Sequence, residues 1–332
     1  MTRDRARAFL LLLLLAGAFF RFTGINWDHN HHLHPDERFI SMVDDRLVGG
    51  GGISGYFDSA RSTLNPYNQG FGSFVYGTLP LLLARALGSL IGLRGYDGTH
   101  LVGRALSGAF DLASVFLVYR VVRRFAGRRT ALAGAGFLAF APLAIQLSHF
   151  WTVDTFLTAF SAATLLAAVR IAQGRRRPFD LAAAGIAMGL AVSCKITGLS
   201  LLLPIGAALI IGEWSRTAAS APVPLARALP RSLLRLAGQA ALLLAAAAAT
   251  VRVAFPYAFL GGSVLSFRLD PRWLKDLTGL VSQTSSVAGF PPNVQWAGRT
   301  ILFPIGNIVV WGTGPFWGVF AFAALVWAAV SL

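Results

Sequence analysis

The sequence predicts an all-α polytopic membrane protein, that is, a bundle of membrane-spanning helices. Of its 332 residues, 55% are hydrophobic and only 13% are charged, whereas soluble domains typically carry about 25% charged residues. Several apolar runs also approach the roughly 20 residues that a helix needs to cross a bilayer. These two observations exclude an ordinary soluble domain.

The basic residues follow a pattern that is typical of a membrane protein. The formal net charge of +15 would suggest nucleic acid as the partner of a soluble protein. Here the arginines form short clusters between apolar runs, as cytoplasmic loops do under the positive-inside rule. We therefore expect membrane lipids as partners and no nucleic acid. The single cysteine, Cys194, permits no internal disulfide.

The N-terminus has the pattern of a membrane-targeting segment. A basic stretch, Thr2–Ala8, precedes the apolar run Phe9–Phe20. We favour a signal anchor because many spans follow, and the alternative is a signal peptide, since Ala16–Ala18 resembles a small-residue cleavage site. In either case the next segment emerges on the far side of the membrane. A long polar outer loop therefore starts near Asn26.

Charge parity predicts whether the apolar stretch Phe71–Leu93 crosses the membrane. The other runs predicted to cross are Leu101–Tyr119, Ala131–Ser148, Thr155–Val169, Phe179–Val192, Ile196–Gly212 and Leu236–Ala254. Three loops between these runs are strongly basic, and the positive-inside rule places them with a cytoplasmic N-terminus. They reach that side only if Phe71–Leu93, which Pro80 and Arg85 interrupt, lies along the outer surface. Residues 26–100 are then the first extracytoplasmic loop of a protein in the inner (plasma) membrane.

The C-terminal part is predicted to hold a second large extracytoplasmic loop, residues 255–299. Two apolar pieces follow it, Thr300–Trp311 and Pro315–Leu332. Because the last piece ends without a basic flank, we expect the chain to be C-terminally incomplete. The sequence contains no P-loop and no G-x-G-x-x-G after a strand, so no nucleotide-binding module is predicted.

Two neighbouring acids begin a predicted helix in the first outer loop. Pro35 fits the first helical position, while Asp36 and Glu37 fit the first turn, opposite the positive end of the helix dipole. This interpretation explains the residue types without any function. On a helix the two carboxylates point about 100° apart, so they do not form a facing pair. At most one of them is a general base, which would deprotonate a hydroxyl group as it attacks.

Four of the six histidines, His29, His31, His32 and His34, lie just before these acids. Clustered imidazoles can bind a divalent metal. Loop histidines are also commonly only solvated, and the ligand spacing of a structural zinc site is absent. No cofactor is therefore predicted as certain, and a divalent metal remains possible.

Further candidates lie near the outer ends of the predicted spans. Asp154 is at the membrane boundary, where a carboxylate is costly unless it is wet or paired, and its other interpretation is a helix N-cap. Arg104 and Lys195 are cations on the side that the positive-inside trend disfavours, which indicates an anionic partner such as a lipid phosphate. Snorkelling to outer head groups is the alternative. Asp111, in mid-span, is expected to pair inside the bundle.

Together these residues resemble the GT-C superfamily of integral-membrane glycosyltransferases. The similarity is to bacterial members related to protein O-mannosyltransferases and to the aminoarabinose transferases of lipid A. No single motif is specific, but their order and spacing are. The segments that carry the resemblance are His34–Glu37, Gly95–Gly98, Arg104–Ser107, Arg123–Arg129 and Gln146–Thr155.

The resemblance implies that residues 1–332 form one transmembrane GT-C-like catalytic domain. Its implied reaction is the inverting transfer of a sugar from a polyprenyl-phosphate donor to a hydroxyl of a protein, lipid or glycan, on the extracytoplasmic side. By the same resemblance, the catalytic residues are Asp36 (the base), Glu37 and Asp154. The expected substrate-binding residues are Arg104 and Lys195, which would face the phosphate, together with His149 and His34.

A transporter or flippase of an anionic lipid-linked substrate is the alternative function. Such a protein would require charges near the bilayer midplane and repeat symmetry. Only Asp111 is predicted to lie that deep, and no internal repeat is visible.

Overall fold

The computed structural model describes residues 1–218, 225–283, 294, 298–300 and 302–330, and most of them are α-helical. No β-strand occurs in these ranges, so the predicted all-α class is confirmed. The helices are α1 (Arg3–Phe22), α2 (Pro35–Arg46), α3 (Gly52–Phe57), α4 (Leu79–Ile91), α5 (Tyr96–Val122), α6 (Arg128–Ala139), α7 (Pro142–Ser148), α8 (Asp154–Ala172), α9 (Pro178–Val192), α10 (Leu202–Ala218), α11 (Leu225–Ala254), α12 (Pro271–Gln283), α13 (Leu302–Asn307) and α14 (Pro315–Val330).

Four helical stretches in the described part of the chain are long and apolar enough to cross a membrane. They are Tyr96–Val122, Asp154–Ala172, Ile196–Ala218 and Leu229–Ala254. A fifth span is formed if α6 and α7, which are bent by 56° relative to each other, count as one broken helix. The multi-pass architecture is therefore confirmed, and the predicted continuous span Ala131–Ser148 is corrected to a broken one.

A buried arginine stabilises this break. Helix ends leave carbonyl groups without intrahelical partners, and Arg21 of α1 donates hydrogen bonds to the carbonyls of Leu138 (3.2 Å) and Ala139 (2.9 Å) at the end of α6. Its Nε donates to the Asp111 carboxylate at 2.6 Å. Asp111 thus pairs inside the bundle, as predicted, and its charge compensates the arginine that caps the break.

Helix α4 packs against α2 in the segment that was predicted to be the first outer loop. It has only 13 residues, which at about 1.5 Å per residue is shorter than the roughly 30 Å hydrocarbon core. Arg85, in its middle, donates to the Asp44 carboxylate (3.1 Å) and to the Leu47 carbonyl of the α2 end. These contacts support the predicted surface placement of Phe71–Leu93, because an arginine bonded to a loop helix does not face lipid.

An apolar core at one end of the bundle joins the outer loop to the spans. Ile40 and Val43 of α2 and Leu81 of α4 are buried against Trp151 and Phe156 at the start of α8. The beginning of α2, which carries the predicted catalytic acids, is thereby held directly over the beginning of α8.

The segment that follows α11 packs on the segment between α3 and α4. The Asp276 carboxylate of α12 accepts hydrogen bonds from the Phe74 N–H (2.8 Å) and the Tyr67 hydroxyl (2.5 Å). Burial and this hydrogen bond raise the pKa of Tyr67 above its ordinary value, so the phenol remains a proton donor. Of the predicted loop 255–299, residues 284–293 and 295–297 lie outside the described residues. The part that is described supports the segment leading to Tyr76.

Candidate active site

The first turn of α2 directs its two acids to different surroundings. Pro35 starts the helix, and the ring of His34 acts as N-cap by accepting a hydrogen bond from the Asp36 N–H on Nδ1 at 3.2 Å. Asp36 is half-buried, whereas the side chain of Glu37 is fully buried. The divergence expected for helical neighbours is therefore observed, and only Asp36 keeps an open side.

Glu37 belongs to a buried ion cluster around Arg104. The guanidinium Nε and Nη2 donate to Glu37 at 2.8 and 2.5 Å. Nη1 and Nη2 donate to Asp28 at 2.9 and 2.8 Å, and Nη1 also donates to the Ile25 carbonyl. All five N–H groups of the arginine are thus taken, and no N–H remains for the lipid phosphate that the sequence led us to expect there.

Glu37 also links the cluster to α8. Its Oε2 accepts a hydrogen bond from the Trp151 N–H at 2.7 Å, and the indole ring is completely buried on Gly103 of α5. An added Cβ at Gly103 would lie 2.1 Å from the Trp151 ring. Glu37 and Arg104 thus hold the elements of the site together and do not face an open cavity themselves.

Substitution of Gly103 by alanine is expected to lower the stability of the fold. Because the new methyl group would collide with a buried indole ring, we expect a loss of about 3 kcal/mol, the upper end of typical overpacking costs. Thermal unfolding in detergent measures the change. Gly206→Ala on α10 is the control, since nothing lies within 4 Å of its added Cβ, and equal melting temperatures of the two variants would contradict the expected collision.

The ion cluster also predicts a pH dependence. Burial acts to raise the pKa of Asp28, but the hydrogen bonds and charge of Arg104 outweigh it and lower that pKa from 3.8 to about 2. Above about pH 4, the ionised Asp28 therefore contributes on the order of 2 kcal/mol to the free energy of unfolding. This contribution is lost as the pH falls from about 4 to about 2, because the carboxylate then becomes protonated. Melting temperatures measured across this range should fall in the native protein and change less in Asp28→Asn.

The open carboxylate, Asp36, lies beside a tyrosine that sequence reasoning did not single out. The Asp36 and Asp154 carboxylates both lie close enough to the Tyr76 hydroxyl to affect its pKa. Burial, followed by these two carboxylates, raises the pKa of Tyr76, so the phenol stays protonated. Tyr76 lies within the stretch Phe71–Leu93 that was predicted to lie on the surface, in an irregular part that precedes α4 and has no periodicity.

Close backbone contact brings this tyrosine next to the second predicted acid. The Gly77 N–H donates to the Cys194 carbonyl at 2.9 Å, and a Cβ at Gly77 would lie 1.9 Å from the Ser193 carbonyl oxygen. Next along the chain, Lys195 donates from Nζ to Asp154 at 3.0 Å, with 37% and 35% of the two side chains exposed. The structure thus brings together Asp36, Tyr76, Asp154 and Lys195.

The predicted histidines take other positions. His34 caps α2 and lies on the Phe150 ring, with centroids 4.5 Å apart. The two ring nitrogens of His149 contact the Ile145 and Thr23 carbonyls at 2.8 and 2.9 Å. His149 therefore ties α7 to the end of α1, and its ring nitrogens are occupied.

His32 is buried with its ring 4.3 Å from that of His100, so the histidine-rich stretch does not converge on one point. Among the residues that the structure describes, no group of three histidine, cysteine or acidic side chains has the geometry to hold a metal ion.

The arrangement has the parts of a group-transfer site. A half-buried carboxylate with a neighbouring phenol can accept a proton from an attacking hydroxyl. An ammonium group at the same surface can stabilise negative charge on a departing anion. The helical fold defines the class of the protein as a multi-pass membrane protein, and this site is its candidate active site.

Comparison with known proteins supports this class. Residues 93–235 match the sequence model of the dolichyl-phosphate-mannose-protein mannosyltransferase family. No curated protein matches the chain by sequence. The family match, over less than half of the chain, and the solved structures below support the resemblance to GT-C membrane glycosyltransferases at the level of the fold.

Two solved structures share the fold. The S. cerevisiae protein O-mannosyltransferase Pmt1–Pmt2 complex bound to the sugar donor superposes with a TM-score of 0.57 at 20% identity. Oligosaccharyltransferase AglB from Archaeoglobus fulgidus, in complex with an inhibitory peptide and a dolichol-phosphate, gives 0.54 at 15%. The matches cover 79% and 99% of this chain but only 35% and 37% of those longer chains.

Proposed function

We propose that the protein transfers a sugar from a polyprenyl-phosphate donor to a hydroxyl acceptor. In this reaction Asp36 takes the proton of the acceptor hydroxyl while the oxygen attacks the anomeric carbon. The bond from that carbon to the phosphate oxygen breaks, and the electron pair leaves with the polyprenyl phosphate. Attack from the face opposite the phosphate inverts the anomeric configuration.

The observation that carries the proposal is the convergence of two carboxylates and a lysine from three separate segments. Lys195 is the cation assigned to the leaving phosphate, because it is exposed at the site whereas Arg104 is enclosed. Asp154 holds the Lys195 ammonium group at 3.0 Å and orients the sugar or the acceptor. The Tyr76 phenol lies beside Asp36, and Glu37 fixes the helix that carries Asp36.

A cavity near Asp154 supports a lipid-linked donor. It has a volume of about 220 Å³ and is lined mainly by apolar residues of α6, α7 and the Ile308–Gly312 segment, together with Asp111 of α5 and with Thr155 and Thr158 of α8. Thr158 donates its hydroxyl to the Asp154 carbonyl at 2.8 Å, so the cavity lies within one helical turn of the site. We assign the first isoprene units of the donor to it.

An assay with a defined donor tests the function. The purified full chain is incubated with radiolabelled polyprenyl-phosphate mannose and with peptide, lipid or glycan acceptors. Label on an acceptor, or release of free sugar from the donor, supports the enzyme. Protein-dependent movement of intact donor across a vesicle membrane, without turnover, would instead establish the transporter. The deep charges Arg21 and Asp111 neutralise each other, which does not favour that alternative.

The proposed extracytoplasmic side of the site is tested by labelling. Arg94 follows α4 and is exposed, so Arg94→Cys is expected to react with a membrane-impermeant maleimide added to intact cells. Arg129→Cys, at the start of α6, should react only after the cells are opened. Both changes are made with Cys194→Ala. Reaction of Arg129→Cys in intact cells would reverse the proposed orientation.

A further inference from the structure

Four arginines lie where α5 and α8 end, opposite to the candidate active site. Arg120 is in the last turn of α5, and Arg124 follows that helix; Arg170 is in the last turn of α8, and Arg175 follows it. The two ends are joined by the Gln173 side-chain amide, which donates to the Arg124 carbonyl at 3.2 Å. We call these four residues the arginine cluster.

The positive charges of the cluster act on one another. Burial, together with the guanidinium groups of Arg170, Arg175 and Arg120, lowers the pKa of Arg124. Asp180 pairs with Arg170 at 3.6 Å. The Arg170 Nε is buried and lacks a hydrogen-bond partner among the described residues. The cluster therefore holds more positive charge than the carboxylate beside it neutralises.

In a neighbouring group of arginines, the positive charges are neutralised by a carboxylate. Glu213 of α10 lies at the centre of this group and forms ion pairs with Arg176 (3.4 Å), Arg216 (2.8 Å) and Arg235 (2.7 Å). Its carboxylate is almost fully buried among them. The arginine cluster at the ends of α5 and α8 has no such central acid among the described residues, so it is the part of this surface that fits an external anion.

Exposed aromatic rings place the cluster at the edge of the apolar layer. Phe125 and Phe179 have 72% and 80% of their surface exposed, and the Arg120 guanidinium lies 5.5 Å from the Phe116 ring centroid. Large apolar rings beside cationic heads fit the boundary between acyl chains and head groups. This setting favours a lipid over a soluble anion.

We propose that the arginine cluster binds the phosphate head group of an anionic phospholipid in the leaflet facing the ends of α5 and α8. Guanidinium groups form paired hydrogen bonds with phosphate oxygens, and Arg124, between the two helix ends, lies where one phosphate can contact both. The lipid acyl chains would lie along Phe116 and Phe125. Such a lipid would offset the repulsion between the guanidinium groups at the two helix ends.

Native mass spectrometry of the full chain, extracted from vesicles of phosphatidylglycerol and phosphatidylcholine, tests the proposal. The native protein is expected to retain phosphatidylglycerol in preference to phosphatidylcholine. In the variant Arg120→Gln, Arg124→Gln, Arg175→Gln this preference should weaken about fivefold for each arginine removed. The single variant Arg175→Gln, at an exposed position, gives the same readout if the triple variant does not fold.

The matched control removes the same charge from the same end of the bundle outside the cluster. It carries Arg128→Gln, Arg129→Gln and Arg231→Gln and should keep the preference for phosphatidylglycerol. An equal loss in this control would mean that only the overall charge attracts lipid, and it would overturn the proposed site. Displacement of the retained lipid by inorganic phosphate would identify a free-anion site and would also overturn the proposal.

Discussion

The variant Asp36→Asn is expected to transfer sugar about 10²- to 10⁴-fold more slowly than the native protein, the usual contribution of a general base. Asparagine has nearly the same shape, and Asp36 is only half-buried, so the amide fits the same surroundings. The melting temperature should therefore stay close to that of the native protein. Steady-state transfer from polyprenyl-phosphate mannose, measured beside thermal unfolding, separates loss of chemistry from loss of fold.

Asp45→Asn is the matched control for this experiment. Asp45 lies on the same helix, is exposed, and accepts the Tyr96 N–H at 3.2 Å, which an amide oxygen also accepts. Its activity should remain near that of the native protein. Near-native turnover in Asp36→Asn would remove Asp36 from the mechanism, and Asp154 would then become the acid to test as the base.

The second large effect concerns stability. Arg104→Gln is expected to destabilise the fold by about 3–5 kcal/mol, because it leaves two buried carboxylates without their cation. Asp28 and Glu37 have no exposed side-chain surface, so water does not replace the lost partner. Thermal unfolding in detergent measures the loss. Addition of Asp28→Asn and Glu37→Gln to the same chain should recover part of it, as the buried negative charge is then removed.

The control for Arg104→Gln is Arg61→Gln. Arg61 also pairs with an aspartate, at 3.5 Å, but 89% of its side chain is exposed, and exposed pairs contribute little. A different result would contradict this expectation: a variant Arg104→Gln that unfolds at the native temperature but binds the donor less tightly. In that case Arg104 would contact the lipid phosphate, as the sequence had suggested, and would not mainly stabilise the buried ion cluster.

The helical fold was predictable because it follows from short stretches of sequence and from simple counts of basic residues in the loops. Apolar length marks the spans. The counting of basic loops predicts that Phe71–Leu93 lies on the outer surface, and in the structure Arg85 of this stretch contacts α2. The 56° break between α6 and α7 was not predictable in the same way. It depends on Arg21, which is 117 residues or more away from the carbonyls it caps, and no pattern within residues 128–148 reveals that partner.

The candidate site was predictable only in part. The position of Asp36 in the first turn of a helix, diverging from Glu37, follows from helical geometry alone. The pairing of Glu37 with Arg104 does not follow from local geometry. The two residues are 67 positions apart in the chain, and the sequence suggests a separate role for each of them. Tyr76 was missed because an aromatic residue in an irregular segment has no distinguishing periodicity, and only the contact between Gly77 and Cys194 brings it to the acids.

The ion cluster around Arg104 also has a consequence for biosynthesis. Asp28 and Glu37 leave the ribosome before the helix that carries Arg104, and Trp151, which binds Glu37, follows later still. Since chains are made from the N-terminus, the first outer loop of the proposed topology crosses the membrane before its counter-ion exists. This loop is translated early but reaches its final form late, after α5 and the start of α8 have been inserted. A ribosome-bound nascent chain that stops before residue 104 would therefore present two unpaired acids to the translocation machinery and to chaperones on the far side.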